Sequence, residues 1–156
     1  MEAKTKLNHK KLLLIQSLSV FHVIEEYFFG FSDWATRYFG TTTQNWYILS
    51  HIILFIIIGI IAFYVYKGFK VGVFWALVLQ VILFTNGLFH IFTTFFWRQY
   101  APGVITQIIV IPVTYFVFRM IRQSDALSKK EILYSTITGC VISALIILSL
   151  YIDIPI

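Results

Sequence analysis

Charge is scarce in this chain of 156 residues: Lys, Arg, Asp and Glu together make up 12%, against roughly a quarter in ordinary globular proteins. So little charge, with 59% apolar residues and a mean hydropathy of +0.84, excludes an ordinary soluble domain. Cysteine is almost absent. With Cys140 alone, an intrachain disulfide and a cysteine-built metal cage are both excluded. No low-complexity linker and no internal repeat divides the chain, so residues 1–156 read as one transmembrane domain. The net charge of +5 does not point to nucleic acid, because the basic residues sit in short segments between long apolar runs. The start of the chain is basic and then apolar, like a secretory signal. No small-residue cleavage site follows, and the run carries His22, Glu25 and Glu26, so the expectation is a retained first helix.

What remains is apolar length. Five stretches approach the roughly 20 residues needed to cross a bilayer. They predict an all-α bundle of transmembrane helices near 12–31, 47–66, 71–96, 104–121 and 132–152. Aromatic residues, at 19%, suit lipid-facing walls and interfacial belts. The segments between the runs are short and polar or turn-forming. Lys4, Lys6, Lys10, Lys11, Lys67, Lys70, Arg119, Arg122, Lys129 and Lys130 fall on one side of this arrangement, and only Arg37 and Arg98 on the other. The positive-inside rule then predicts a multi-pass protein of the cell membrane, N-terminus cytoplasmic and C-terminus outside.

This topology gives each polar residue a depth. At about 1.5 Å per residue, Glu26 lies roughly 8 Å below the outer end of its helix, His22 roughly 14 Å, His51 about 6 Å, His90 about 9 Å and Asn86 about 15 Å. Thr106 and Gln107 enter at a similar level on the fourth run. Polar residues of four helices therefore share the outer half, and the inner half has almost none apart from Gln80. His22 and Glu26, like Asn86 and His90, are four apart and share a helix face. Ionised carboxylates at that depth cost several kcal/mol or more, and no Lys or Arg lies in the outer half of any predicted helix. A protonated glutamate, cationic histidines or a bound metal ion would each resolve the imbalance. Imidazole and carboxylate together suit zinc, with iron or manganese as alternatives. The plain alternative is a structural polar network. His9 reads as solvated, Cys140 as packing, Gly139 and Ser143 as a close helix contact, and Pro112 as a kink.

Three motifs appear in order: His22-Val-Ile-Glu25-Glu26, Asn86-Gly-Leu-Phe-His90 and Tyr100-Ala-Pro102-Gly103. Over about residues 15 to 120 the chain resembles the HXXEE-domain family of membrane proteins. The resemblance implies an enzymatic role for the motif residues and supplies no substrate. Depth alone adds His51. The expected function is a metal-dependent membrane hydrolase acting on a lipid or other amphiphile, with His22, His51, His90 and Glu26 as metal ligands. Glu25 or Glu26 would be the base, Asn86 would orient substrate, and the Tyr100–Gly103 segment would shape the mouth. A dinuclear-iron oxidase, a proton-coupled transporter and a structural subunit are the other readings; oligomeric state is left open.

Overall fold

The computed structural model describes residues 7–40 and 44–151. Lys4, Lys6 and Ile152 lie outside these described residues. Within them the chain forms seven helices and no strand: α1 (His9–Gln16), α2 (Leu18–Phe28), α3 (Phe31–Phe39), α4 (Gln44–Tyr66), α5 (Lys70–Trp97), α6 (Val104–Ser124) and α7 (Lys129–Ser149). The last four are long and apolar enough to cross a membrane. A fifth span exists if α1–α3 are counted as one broken segment, bent by 71°.

The first expected helix, 12–31, is therefore not one uniform rod. It starts earlier, at the Asn8 cap whose side chain accepts from the Lys11 amide at 2.9 Å. It is interrupted at Ser17, whose hydroxyl donates back to the Leu14 carbonyl at 2.6 Å, a local side-chain bond that competes with the helical ladder. It stops at Phe28, and Gly30 in the left-handed region turns the chain into α3. That helix lies in a stretch read from sequence as a polar connection. Its face carrying Phe31, Trp34 and Ala35 is buried, while Asp33 in its first turn and Arg37 in its last complement the helix dipole.

The other four helices match the expected runs, with ends extended by one to three residues at several places. Gly72 allows α5 to fold closely onto α4: a Cβ there would lie 2.5 Å from the Tyr64 carbonyl carbon. Ser128 and Glu131 form a capping box at the start of α7, and Lys70 reaches Glu131 at 2.8 Å, joining the first turns of α5 and α7. Pro112 sits inside a continuous α6.

α5 is the central helix, with α4, α6 and α7 packed along it. At the end of the bundle where α5 begins, Leu12, Ile61, Val65, Val73, Ala76, Leu77, Val117 and Ile121 form a fully apolar core. At the other end α3 lays Phe31, Trp34 and Ala35 against Tyr47 and Ala101. Polar residues also extend further toward the apolar core than expected. Gln16 donates to the Ala76 carbonyl at 3.2 Å and Gln80 to the Thr114 hydroxyl at 2.7 Å, all four residues being buried.

Candidate functional site

Glu26 is the centre of the polar layer. Its side chain is 5% exposed, and its two oxygens face imidazoles from three helices. Oε1 lies 3.3 Å from His22 Nε2 and 3.2 Å from His90 Nε2, while Oε2 lies 3.4 Å from His51 Nε2. His22 reaches it from the same face of α2, one helical turn away; His51 comes from α4 and His90 from α5. Among the described residues no Lys or Arg pairs with either glutamate.

Each imidazole is held differently. His51 Nδ1 lies 2.7 Å from the Tyr47 carbonyl oxygen, which can only accept, so Nδ1 carries a proton. His22 Nδ1 lies 3.1 Å from Thr106 Oγ1. That hydroxyl spends its one proton on Glu25 Oε2 at 2.6 Å, so it accepts from His22 Nδ1. The network thus puts a proton on Nδ1 of both rings and turns Nε2 of each toward a Glu26 oxygen. His90 is 0% exposed; its Nε2 meets Glu26 Oε1 at 3.2 Å without hydrogen-bond geometry, and its Nδ1 has no partner. Phe31 and Trp34 of α3 cover it, with the Trp34 ring stacked at 6.2 Å between centroids. The sequence reading missed this cover; the apolar spacing of Phe31, Trp34 and Ala35 was the signal for it.

Glu25 does something else. Its Oε1 accepts from Tyr100 OH at 2.5 Å and the Ile105 amide at 2.9 Å; its Oε2 accepts from the Thr106 amide at 2.7 Å and the Thr106 hydroxyl. These amides belong to the first turn of α6, whose own cap residue, Gly103, has no side chain to offer. Glu25 caps α6 from a neighbouring helix, supplying both acceptors and a negative charge to its positive end. Burial and the Glu25 carboxylate push the Tyr100 phenol above its ordinary range, which keeps it a donor. Gly103 has φ +101°, and a Cβ there would sit 2.5 Å from the His22 ring, so only glycine lets the α6 start approach this closely. The first and third motifs are therefore two sides of one joint.

The second motif joins them. Asn86 Nδ2 lies 2.8 Å from His22 Nε2, and Gln107 Nε2 lies 3.2 Å from both His22 nitrogens. Gly87 makes room for Gln107, since a Cβ there would meet Gln107 Oε1 at 2.6 Å. Gln107 is fully buried, and its Oε1 has no partner.

His22, Glu26 and His90 form a set in which one ligand atom from each lies within 4.8 Å of the others. His51 stands at the other carboxylate oxygen, outside that set. The donors suit a transition ion, and His90 Nε2, which faces Glu26 Oε1 and no other group, fits one. Asn86 bears on the fit, since its amide occupies the His22 Nε2 lone pair. An ion requires that amide to swing aside or to turn over and offer Oδ1. The cluster opens onto a cavity of about 240 Å³, walled by Ser50, His51 and Leu54 of α4, Leu79 and Leu83 of α5, and Ile147 of α7.

No curated protein and no solved structure matches the chain. A family model described as "Protein of unknown function with HXXEE motif" matches residues 13–117. That match takes in all three motifs and every residue around Glu26, and the chain belongs to this HXXEE family.

Proposed function

We propose that this chain is a metal-dependent membrane enzyme, a hydrolase acting on a lipid or other amphiphile. His22, His90 and Glu26 Oε1 hold one ion, zinc in first place, with iron or manganese as alternatives. One observation carries the reading. Two imidazoles with their Nδ1 protons committed elsewhere turn Nε2 toward the same buried carboxylate, and a third ring, its Nε2 3.2 Å from that carboxylate, has no partner for its Nδ1. A buried carboxylate among three imidazoles calls for a proton or a cation at their Nε2 atoms, and a bound ion would supply that charge. When bound, the ion supplies Lewis-acid polarisation of a substrate carbonyl or phosphoryl oxygen and activates water.

The chain's own residues divide the remaining work. The Tyr47 carbonyl orients His51 through Nδ1–H, so Nε2 at the cavity border takes the proton from the attacking water. Glu26 Oε2 beside it stabilises the imidazolium that forms. Asn86, on the cavity wall, releases His22 and turns its amide to the substrate oxygen. Glu25 holds the α6 start, and through Thr106 the His22 ring. It is a positioning residue, because both its oxygens are already occupied. That engagement also favours one ion over a dinuclear iron centre, which needs further carboxylates at the site.

The orientation proposed from the basic residues, N-terminus cytoplasmic and C-terminus outside, puts this cluster in the outer half of the membrane. In a Cys140→Ser background, Lys129→Cys should resist impermeant thiol reagents added outside intact cells; labelling there would reverse the orientation.

Zinc titration of metal-stripped protein against a chromophoric chelator tests the ion. Wild type and His51→Ala should each bind about one zinc per chain, and His90→Ala should bind at least 10-fold more weakly. Hydrolysis of a fluorogenic acyl ester in mixed micelles should be lost in His51→Ala while its zinc is retained. Wild type that binds no zinc, iron or manganese overturns the reading.

A further inference from the structure

The cavity beside Glu26 is longer than a metal site needs. On α5 its wall runs from Asn86 back to Leu79, and on α2 from Glu26 back to Ser19. Seven residues on α5 carry the slot roughly 10 Å beyond Asn86, while on α2 Ser19 lies about one turn beyond His22. Leu79, Ile82, Leu83, Leu54, Ile146 and Ile147 line it. The two deep hydroxyls are already bonded within the protein: Ser19 donates to the Gln16 carbonyl at 2.6 Å, and Ser143 accepts from Thr85 at 2.5 Å. The polar groups offered to a ligand are therefore gathered at Glu26, His51, Ser50 and Asn86, between this apolar slot and a second part of the cavity lined by Phe31, Trp46, Phe89 and Leu150. The whole cavity's volume of about 240 Å³ exceeds that of cavities near 150 Å³ that hold a benzene ring. α4 and α7 both pack along α5 but hardly touch each other, so the slot faces outward between them, where a bilayer would supply its contents.

We propose that this slot holds a single alkyl chain of a bilayer amphiphile, entering sideways between α4 and α7, with its polar end at Glu26 and His51. The inference rests on the enzymatic reading above and deepens it by naming the part of the substrate that is gripped. A depth of roughly 10 Å is about two-thirds of one leaflet of a 30 Å hydrocarbon core. The slot therefore takes a medium-length chain, or the first part of a longer one. α7 forms one wall of the slot with Ser143, Ile146 and Ile147. It lies beyond residue 117, where the family match ends, so the site motifs and this wall are separate parts of the sequence.

The test uses purified full-length protein in phospholipid nanodiscs and two alkyl carboxylate probes, one short and one medium-length, each with a terminal diazirine. Photolysis and peptide mapping should place the medium-length adduct on Leu79, Ile82, Leu83 or the 143–147 stretch. Leu54→Trp and Ile147→Trp fill the slot from opposite walls at half-buried positions. Each should cut the medium-length adduct at least 10-fold while sparing the short one. Leu145→Trp, on the exposed face of α7, should change neither. Adducts spread over lipid-facing residues, or adducts that both tryptophans leave unchanged, overturn the proposal. Failure of the enzymatic reading looks different: slot adducts that persist in wild type and in Glu26→Gln, with no metal bound by either, keep the chain-binding slot and remove the hydrolase.

Discussion

The two ends of the bundle are joined by opposite means. Where α5 begins, α1, α4, α5 and α6 meet through Leu12, Val65, Ala76, Leu77, Val117 and Ile121, side chains that need no partner but a neighbour. Where α5 ends, the same bundle is held by a carboxylate among three imidazoles and a second carboxylate capping a helix that is not its own. In an apolar surrounding the first kind of joint tolerates small errors of fit, because dispersion is non-directional. The second kind does not, because every donor must meet an acceptor at a fixed angle. An end built that way is specified by few residues and is open enough to adjoin a cavity. The apolar end offers packing alone, and the polar end offers the groups on which the proposed chemistry rests.

Substitutions at the two ends should separate these roles. Glu26→Ala has the largest expected effect, removing the one group that all three histidines face. Metal affinity should fall at least 100-fold by chelator competition, and stability by about 3–5 kcal/mol if the rings are left charged without a counter-ion. Leu77→Ala should cost about 2–5 kcal/mol of stability through a cavity in the apolar core and leave metal affinity within a factor of two. Thermal unfolding in detergent and zinc titration, run on the same samples, distinguish the two patterns. An equal loss of metal in Leu77→Ala would show that the ends are not independent.

Glu25→Ala should fall between these. It leaves the Ile105 and Thr106 amides uncapped, for about 1–3 kcal/mol of stability, and loosens His22 through Thr106. Metal affinity should drop by roughly 10-fold, the scale of a lost supporting bond. Tyr100→Phe removes one of the four donors to Glu25 and should show the same pattern more weakly, by about 1 kcal/mol. A Tyr100→Phe effect as large as that of Glu26→Ala would place the phenol in the chemistry instead of the joint.

Much of the polar end was legible in the sequence because helical depth is a simple count. That count brought His22, Glu26, His51, Asn86 and His90 to one layer, and the structure brings these residues together. Depth could not tell Glu25 from Glu26. They are adjacent in sequence, so only their angle on α2 separates a histidine-facing carboxylate from a capping one, and that angle matters through α6, which no local pattern includes. The cover over His90 was missed for a related reason. In Phe31-Ser-Asp-Trp-Ala-Thr-Arg-Tyr-Phe39 the polar residues suggested a loop, while its apolar residues fall on one helical face. The break at Ser17 and the burial of Gln16 were not legible either, since they depend on which neighbour α5 offers, here the Ala76 carbonyl.

The most direct test of the account is the metal content of the intact protein beside His90→Ala. Both would be purified without chelators, analysed by inductively coupled plasma mass spectrometry, then stripped and titrated with zinc at neutral and acidic pH. The account predicts about one ion per wild-type chain, its loss in His90→Ala, and weaker binding at acidic pH as protons compete for imidazole and carboxylate. Wild-type protein that retains no transition metal and takes up none at neutral pH would contradict it, leaving the Glu26 cluster as a charge relay or a structural network.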